Sequence, residues 1–355
     1  MPVLVVVGTL VRDALHRDDG PPLEDWGGIA FSLEALAAAL PSRGWVVRPL
    51  LRIPRGEAPR VRARLADLPM EVDLAGLLLH DGPMPTVELR YRGPERVDER
   101  LLHVPPPFTS AELVEAARGA RALFLNFITG FETTLPALRG LRQGWSGPLW
   151  TDLHSLLLDR DEDGRRSPRL LPEAAGWLQL SDAVQTNEDE ADRLRRSWPP
   201  AAPPPAPSSA PFPGPFRGPL LQVVTKGAAG ASCATVPGFR PDPASWPGLR
   251  TVPEPDGPPG ERAPRGAQPL AGARPPAGLP PLRFRPAPSL PQVADPDPTG
   301  CGDVWGAATF ARLLAGDDLP TAMDTAHRMA AMNARRRGTA GLAAHLRATA
   351  VEVGS

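Results

Sequence analysis

The sequence predicts an α/β fold in which a mostly parallel sheet is covered by helices on both faces. Three observations lead there. Short, continuous apolar runs recur from Val3–Val7 to Leu220–Thr225, the pattern of strands buried on both sides. Stretches of helical length rich in Ala and Leu separate them, and that alternation calls for βαβ crossovers. At 355 residues and 42% hydrophobic content, the chain can fill the core of one large domain, and residues 1–355 are read as such.

Taken in order, Val3–Val7 is the first strand and Gly28–Leu40 the first helix. Trp45–Leu51 and Leu74–His80 continue the buried strands. Met84–Arg92 then alternates with period two, and Arg96–Val104 is its expected hairpin partner. A half-exposed antiparallel pair inside an α/β chain reads as a β lid, about residues 84–104. Ala122–Phe127, Pro148–Leu153, Ala183–Thr186 and Leu220–Thr225 complete the strands, with helices expected near 110–118, 132–142, 170–178 and 187–197. Segments 199–219 and 237–298 hold 29 of the 48 prolines. That density excludes regular helix and central strand, so about 237–292 is read as a Pro-rich insertion, with 253–281 extended or disordered.

A net charge of −1 leaves no basic footprint for nucleic acid. No run of about 18 apolar residues suggests a membrane span. The apolar start lacks the charged region of a signal peptide, and two cysteines make no disulfide framework. A cytoplasmic enzyme is the expectation. Of 39 basic residues only Lys226 is a lysine. A flexible ammonium beside a Gly-rich turn suits a nucleotide phosphate, and a solvated strand end is the alternative.

The chemistry concentrates at Asp297-Pro298-Thr299-Gly300-Cys301-Gly302-Asp303, followed by a helix through Val304–Ala311. Two glycines let the backbone turn tightly and aim its amides at one place. The helix start adds unpaired N–H groups and a positive dipole end, which together bind anions. A carboxylate there can accept a proton from a hydroxyl. Amides for a phosphoryl group beside a base for an alcohol are the parts of a small-molecule kinase. A glycine turn capping a core helix is the simpler alternative.

This motif resembles that of the PfkB/ribokinase family of carbohydrate and nucleoside kinases, with Pro298 where the family usually has Thr and Cys301 where it usually has Ala. The resemblance implies a ribokinase-like three-layer α/β/α sandwich, with lid segments at about 12–26 and 84–104. It also implies ATP and Mg²⁺ as cofactors, K⁺ as a further one, and a homodimer formed through the lid. Asp303 is then the general base, and Gly300, Cys301 and Gly302 the anion hole. Other family elements follow in order. Gly8–Asp13 places Asp13 on acceptor hydroxyls. Gly27 and Gly28 resemble a turn against the substrate, with Ser32 where Asn is common. Asn187 and Glu190 match an Asn-x-x-Glu element near Mg²⁺, reached through water; the same spacing is also a helix-capping pattern. Thr225, Lys226, Gly227 and Gly230 resemble the nucleotide turn, and Asn333 lies on a helix flanking adenine. Asp297 would lie by a monovalent cation. Asp152-Leu153-His154 closes a strand, and His154 is read as structural, with a supporting place beside phosphate as the alternative.

The expected function is ATP-dependent phosphoryl transfer to a hydroxyl of a sugar, polyol or nucleoside-like molecule. A non-catalytic ligand-binding protein on a degenerate fold of the same type is the rival, and a scaffold recruited through 253–281 is a weaker third. No P-loop sequence occurs.

Overall fold

A computed structural model of the chain describes residues 1–16, 23–41, 44–92, 95–197, 218–247, 282–288 and 296–351. Residues 253–281, most of the expected insertion at 237–292 and residues 17–22 of the expected lid lie outside the described residues.

Strand β1 (Val3–Val7) shows why an all-apolar run was needed. Leu4 and Val6 enter the core on one face of the sheet, while Val5 and Val7 enter a second core on the other. The chain then runs through β2 (Leu10–His16), β3 (Leu23–Gly28), α1 (Ile29–Ala39), β4 (Val46–Pro54), α2 (Ala58–Ala66), β5 (Glu71–Val72) and β6 (Leu77–His80). Next come β7 (Thr86–Arg92), β8 (Glu95–Leu102), α3 (Ser110–Ala117), β9 (Ala120–Asn126), α4 (Leu135–Gly144) and β10 (Leu149–Asp152). A short hairpin, β11 (Leu158–Arg160) and β12 (Arg166–Pro168), precedes α5 (Ala174–Leu180), β13 (Ala183–Asn187), α6 (Glu188–Arg196) and β14 (Leu221–Thr225). The chain closes with β15 (Gly230–Thr235), β16 (Arg283–Pro286), α7 (Cys301–Leu314), α8 (Leu319–Asn333) and α9 (Leu342–Val351).

Ten described strands form the main sheet in the order β16-β15-β14-β13-β10-β9-β1-β4-β5, with β6 also on β4. Strands from β14 across to β5 run parallel, and β15 and β16 add antiparallel pairs at one edge. Helices α1, α2, α7, α8 and α9 cover one face, and α3 to α6 the other. This is the expected three-layer sandwich. The parallel strands share one carboxyl edge, so Asn126, Asp152, Asn187 and Thr225 all end on the side where such sheets bind ligands.

The lid is a four-stranded sheet, β3-β2-β7-β8. It begins at Leu10, two residues earlier than the expected segment, because β2 continues directly from the turn after β1. Residues 74–76 form a single tight turn instead of the start of a strand; a Cβ on Gly76 would stand 2.3 Å from the carbonyl oxygen of Pro49. The β11–β12 hairpin was not expected. It lies against β8, where the Leu101 amide donates to the Gly164 carbonyl (2.8 Å) and Arg165 pairs with Asp98 (3.3 Å). Its turn, Asp161-Glu162-Asp163-Gly164, and its short polar strands carry no apolar alternation, which is why no strand was legible there.

Candidate active site

The glycine turn is held from below. Gly300 takes φ +72° as the N-cap of α7, and a Cβ there would meet the Phe31 ring at 2.3 Å. Only glycine tolerates both the angle and the contact. A Cβ on Gly302 would meet nothing within 4 Å, so this residue faces open space. The Thr299 amide donates to Asp297 Oδ1 (3.0 Å), and Asn333 Nδ2 donates to the Thr299 carbonyl (2.8 Å) and to Cys301 Sγ (3.4 Å). Asp297 and Asn333 therefore brace the turn from behind and do not line the cavity. Asn333 was expected at adenine; its described contacts are with the turn. Cys301 also departs from expectation. Its amide already donates to the Pro298 carbonyl (3.1 Å), which takes it out of the expected anion hole and leaves the Gly300 and Gly302 amides without an acceptor among the described residues. Burial pushes the Cys301 thiol up to about 11, so it stays neutral and donates to the Ala330 carbonyl.

Asp303, in the first turn of α7, lines a cavity of about 500 Å³ at the carboxyl edge. Asn126, at the end of β9, donates to Asp303 Oδ1 at 2.7 Å and, through the same nitrogen, to Ser32 Oγ at 3.2 Å. Burial lifts the Asp303 carboxyl above its usual range, and Glu190 adds to the rise; His154 and the Asn126 bond oppose it without cancelling it. Ser32 is fully buried. It does not reach the cavity, and its part is to orient Asn126. Asn126 was missed, although a polar residue ending the apolar run Ala122–Phe127 is the signal that could have found it.

On one side of Asp303, Asn187 caps α6 and holds Glu190 in a reciprocal box. The Asn187 amide donates to Glu190 Oε2 (2.8 Å), the Glu190 amide to Asn187 Oδ1 (2.9 Å), and Asn187 Nδ2 to Glu190 Oε1 (2.7 Å). Both residues also line the cavity, so the capping reading and the site reading hold together. His154, read from sequence as structural, lies in the cavity wall with Nδ1 3.3 Å from Glu190 Oε1. Among the described residues lining the cavity it is the only basic side chain. Burial works against its charge, but the bond and charge of Glu190, with Asp303 and Asp152, outweigh this and bring it to about 10. The ring is 46% exposed, so solvent screens part of that field. Asp152 is pushed well up by burial, with His154 pulling it back and Glu190 and Asp303 adding to the rise.

Thr225 and Gly227 line the same side. Lys226 does not; its ammonium is bonded to Glu188 at 2.6 Å and lies 5.9 Å from the Phe284 ring. Gly230 serves the sheet edge, since a Cβ there would stand 2.3 Å from the Arg285 carbonyl oxygen. Among the described residues no three His, Cys, Asp or Glu side chains group as direct metal ligands.

On the other side of Asp303 the lid closes the cavity. Asp13 on β2 is 7% exposed. Burial, followed by Asp303, Asp25, Glu99 and Asp297, pushes its carboxyl up to about 8. Gly27 makes room for it, as a Cβ there would stand 1.7 Å from Asp13 Oδ2. Gly28, at φ +60°, lines the cavity and lets α1 start directly beneath Thr9, whose carbonyl accepts from the Ile29 amide (3.1 Å). Glu99 reaches in from β8.

No family model and no curated protein sequence matches the chain. Solved structures do. A pyrophosphate-dependent kinase in the ribokinase family, in a sulfate complex, superposes with TM-score 0.63 at 16% identity, covering 95% of this chain and 96% of that one. A nucleoside kinase of Burkholderia thailandensis in complex with inosine gives TM-score 0.63 at 14% identity, covering 98% and 97%. A fructokinase of Xylella fastidiosa with bound ATP gives TM-score 0.63 at 14% identity, covering 99% of each chain. With its sheet order, its lid and a glycine turn at the mouth of α7, the chain has the ribokinase-like fold.

Proposed function

We propose that the protein is a small-molecule kinase that transfers the γ-phosphoryl group of ATP to a hydroxyl of a sugar, polyol or nucleoside-like acceptor. The observation that carries this is the Asp303 carboxylate, held at 2.7 Å by Asn126 beside the open Gly302 at a helix start. The acceptor hydroxyl gives its proton to Asp303 as its oxygen attacks the γ-phosphorus and the bond to the leaving diphosphate breaks. The Gly302 amide and the dipole of α7 stabilise charge on the transferring group. Asp13 positions the acceptor, while Asn187, Thr225 and Gly227 face the donor.

The donor-side acids suit Mg²⁺ held largely through water. Glu190 is fixed by the Asn187 box and Asp152 stands beside it, and this metal keeps several waters where few carboxylates are offered. When bound, Mg²⁺ supplies charge neutralisation to the phosphates. A monovalent cation fits behind the turn, where Thr299 Oγ1 and Asn333 Oδ1 are buried without partners among the described residues, near Asp297.

The purified chain is assayed with ATP, and in parallel with pyrophosphate, against sugars, inositols and nucleosides. Asp303→Asn keeps the shape and still accepts from Asn126, so folding is retained and kcat falls by roughly 10²–10⁴. Unchanged turnover in that variant removes Asp303 from the role of base. Absence of turnover with every donor and acceptor supports the rival reading, a non-catalytic binder.

A further inference from the structure

The cavity face of the lid has a pattern of its own. Residues two apart on a strand share a face, and the registers set Asp13 beside Val87 and Leu89 beside Glu99. The roof of the acceptor end is thus an apolar strip, Val87 and Leu89, flanked by the carboxylates Asp13 and Glu99. Phe31, whose ring lies against Gly300, and Ile128, against Gly28, supply further apolar lining as its floor. Glu99 has Arg166 at 4.0 Å on its far side, where the guanidinium also donates to the Ser155 carbonyl. Asp13 accepts no hydrogen bond from the described residues, though it is more than nine-tenths buried and lines the cavity. No basic side chain of the described lining stands on this side of Asp303.

A buried carboxylate without a donor is costly, and charge is the partner that relieves it best. Its ionisation, already pushed up to about 8 by burial and by Asp303, agrees with a place that is short of positive charge. Neutral hydroxyls would satisfy lone pairs but give the Asp13 carboxyl no opposite charge beside which to ionise.

We propose that the acceptor is a compact ring alcohol bearing a protonated amine, its ammonium between Asp13 and Glu99, its ring between the apolar roof and floor, and its reacting hydroxyl at Asp303. The reacting hydroxyl in this assignment rests on the kinase reading above; the ammonium site does not.

Matched pairs test it: glucosamine against glucose, and an aminocyclitol against myo-inositol, each with the same donor and each also in a thermal-shift assay without donor. The aminated member is expected to lead by tenfold or more in kcat/KM and to give the larger shift. N-acetylation, which removes the charge, is expected to erase that lead. Glu99→Gln, checked for folding by its melting temperature, is expected to narrow the ratio at least threefold. A neutral member that equals or exceeds its aminated partner in both assays overturns the proposal while leaving the kinase reading intact. Selective stabilisation by the amines with no turnover from any donor supports the ammonium site and overturns the kinase reading.

Discussion

Replacing Asn126 by alanine isolates the one side chain that holds the base. In the intact protein its amide nitrogen stands 2.7 Å from Asp303 Oδ1, and the carboxyl is already raised by burial. Removing a hydrogen bond to a charged group costs about 1.5–3 kcal/mol. The protonated acid can still accept from the amide through its carbonyl oxygen, so the loss falls mostly on the ionised form, and at 1.36 kcal/mol per unit it moves the Asp303 pKa up by at most about 1–2 units. The base must be ionised to accept the hydroxyl proton, so the acid limb of the kcat/KM profile moves up in pH by the same amount, while activity above the limb is largely kept. Stability follows the same linkage. A carboxyl whose folded pKa exceeds its unfolded value destabilises the fold as pH rises from the unfolded toward the folded pKa. The deficit of Asn126→Ala relative to the parent is therefore smallest below the ordinary 3.8 and grows toward neutral pH. The assay is a paired pH–rate profile with melting temperatures at each pH. An acid limb that stays in place in a folded variant refutes the link between Asn126 and the base.

Three further variants separate support from site. Gly300→Ala forces both a φ of +72° and a Cβ 2.3 Å from the Phe31 ring, so its melting temperature falls, with strain of about 1–3 kcal/mol. Gly302→Ala meets no neighbour within 4 Å, so it melts with the parent but raises the KM of the donor; a normal KM there would show that the phosphoryl group lies elsewhere. Lys226→Ala loses only a partly exposed pair with Glu188 outside the cavity lining, an interaction of about 0–1 kcal/mol, so the KM for ATP stays close to that of the parent. A marked rise would show that the ammonium turns from Glu188 to the phosphates.

Apolar runs made the layers legible, because a strand buried on both faces has no choice but to be apolar throughout. Val3–Val7 and Leu221–Thr225 fall within a residue of their expected bounds for that reason. The glycine turn was legible through backbone freedom, which only glycine offers. What the sequence concealed was direction. Ser32 and Asn333 have the right chemistry for ligands, yet Ser32 faces Asn126 and Asn333 faces the Thr299 carbonyl, and spacing alone does not say which way a polar side chain turns. His154 was hidden for the opposite reason. A lone histidine has no pattern, and its meaning comes from Glu190, thirty-six positions away. Hairpin 158–168 escaped because its strands owe their place to β8 and not to any periodicity of their own.

That hairpin changes what kind of machine the lid is. A flap hinged only at its ends can swing free, but β8 is stitched to residues 158–168 through the Leu101–Gly164 bond, Arg160 on the Leu101 carbonyl and Arg165 on Asp98. The stitched segment begins immediately after His154–Leu157, which forms part of the cavity wall. Lid and wall are therefore joined as a lever to its fulcrum: raising the strand that carries Glu99 must either tear those bonds or drag the loop that carries His154. Along the stitched stretch, at Arg100 and Leu101, the outer edge of β8 is already spoken for, so a neighbouring chain seeking to add a strand finds no free backbone to grip.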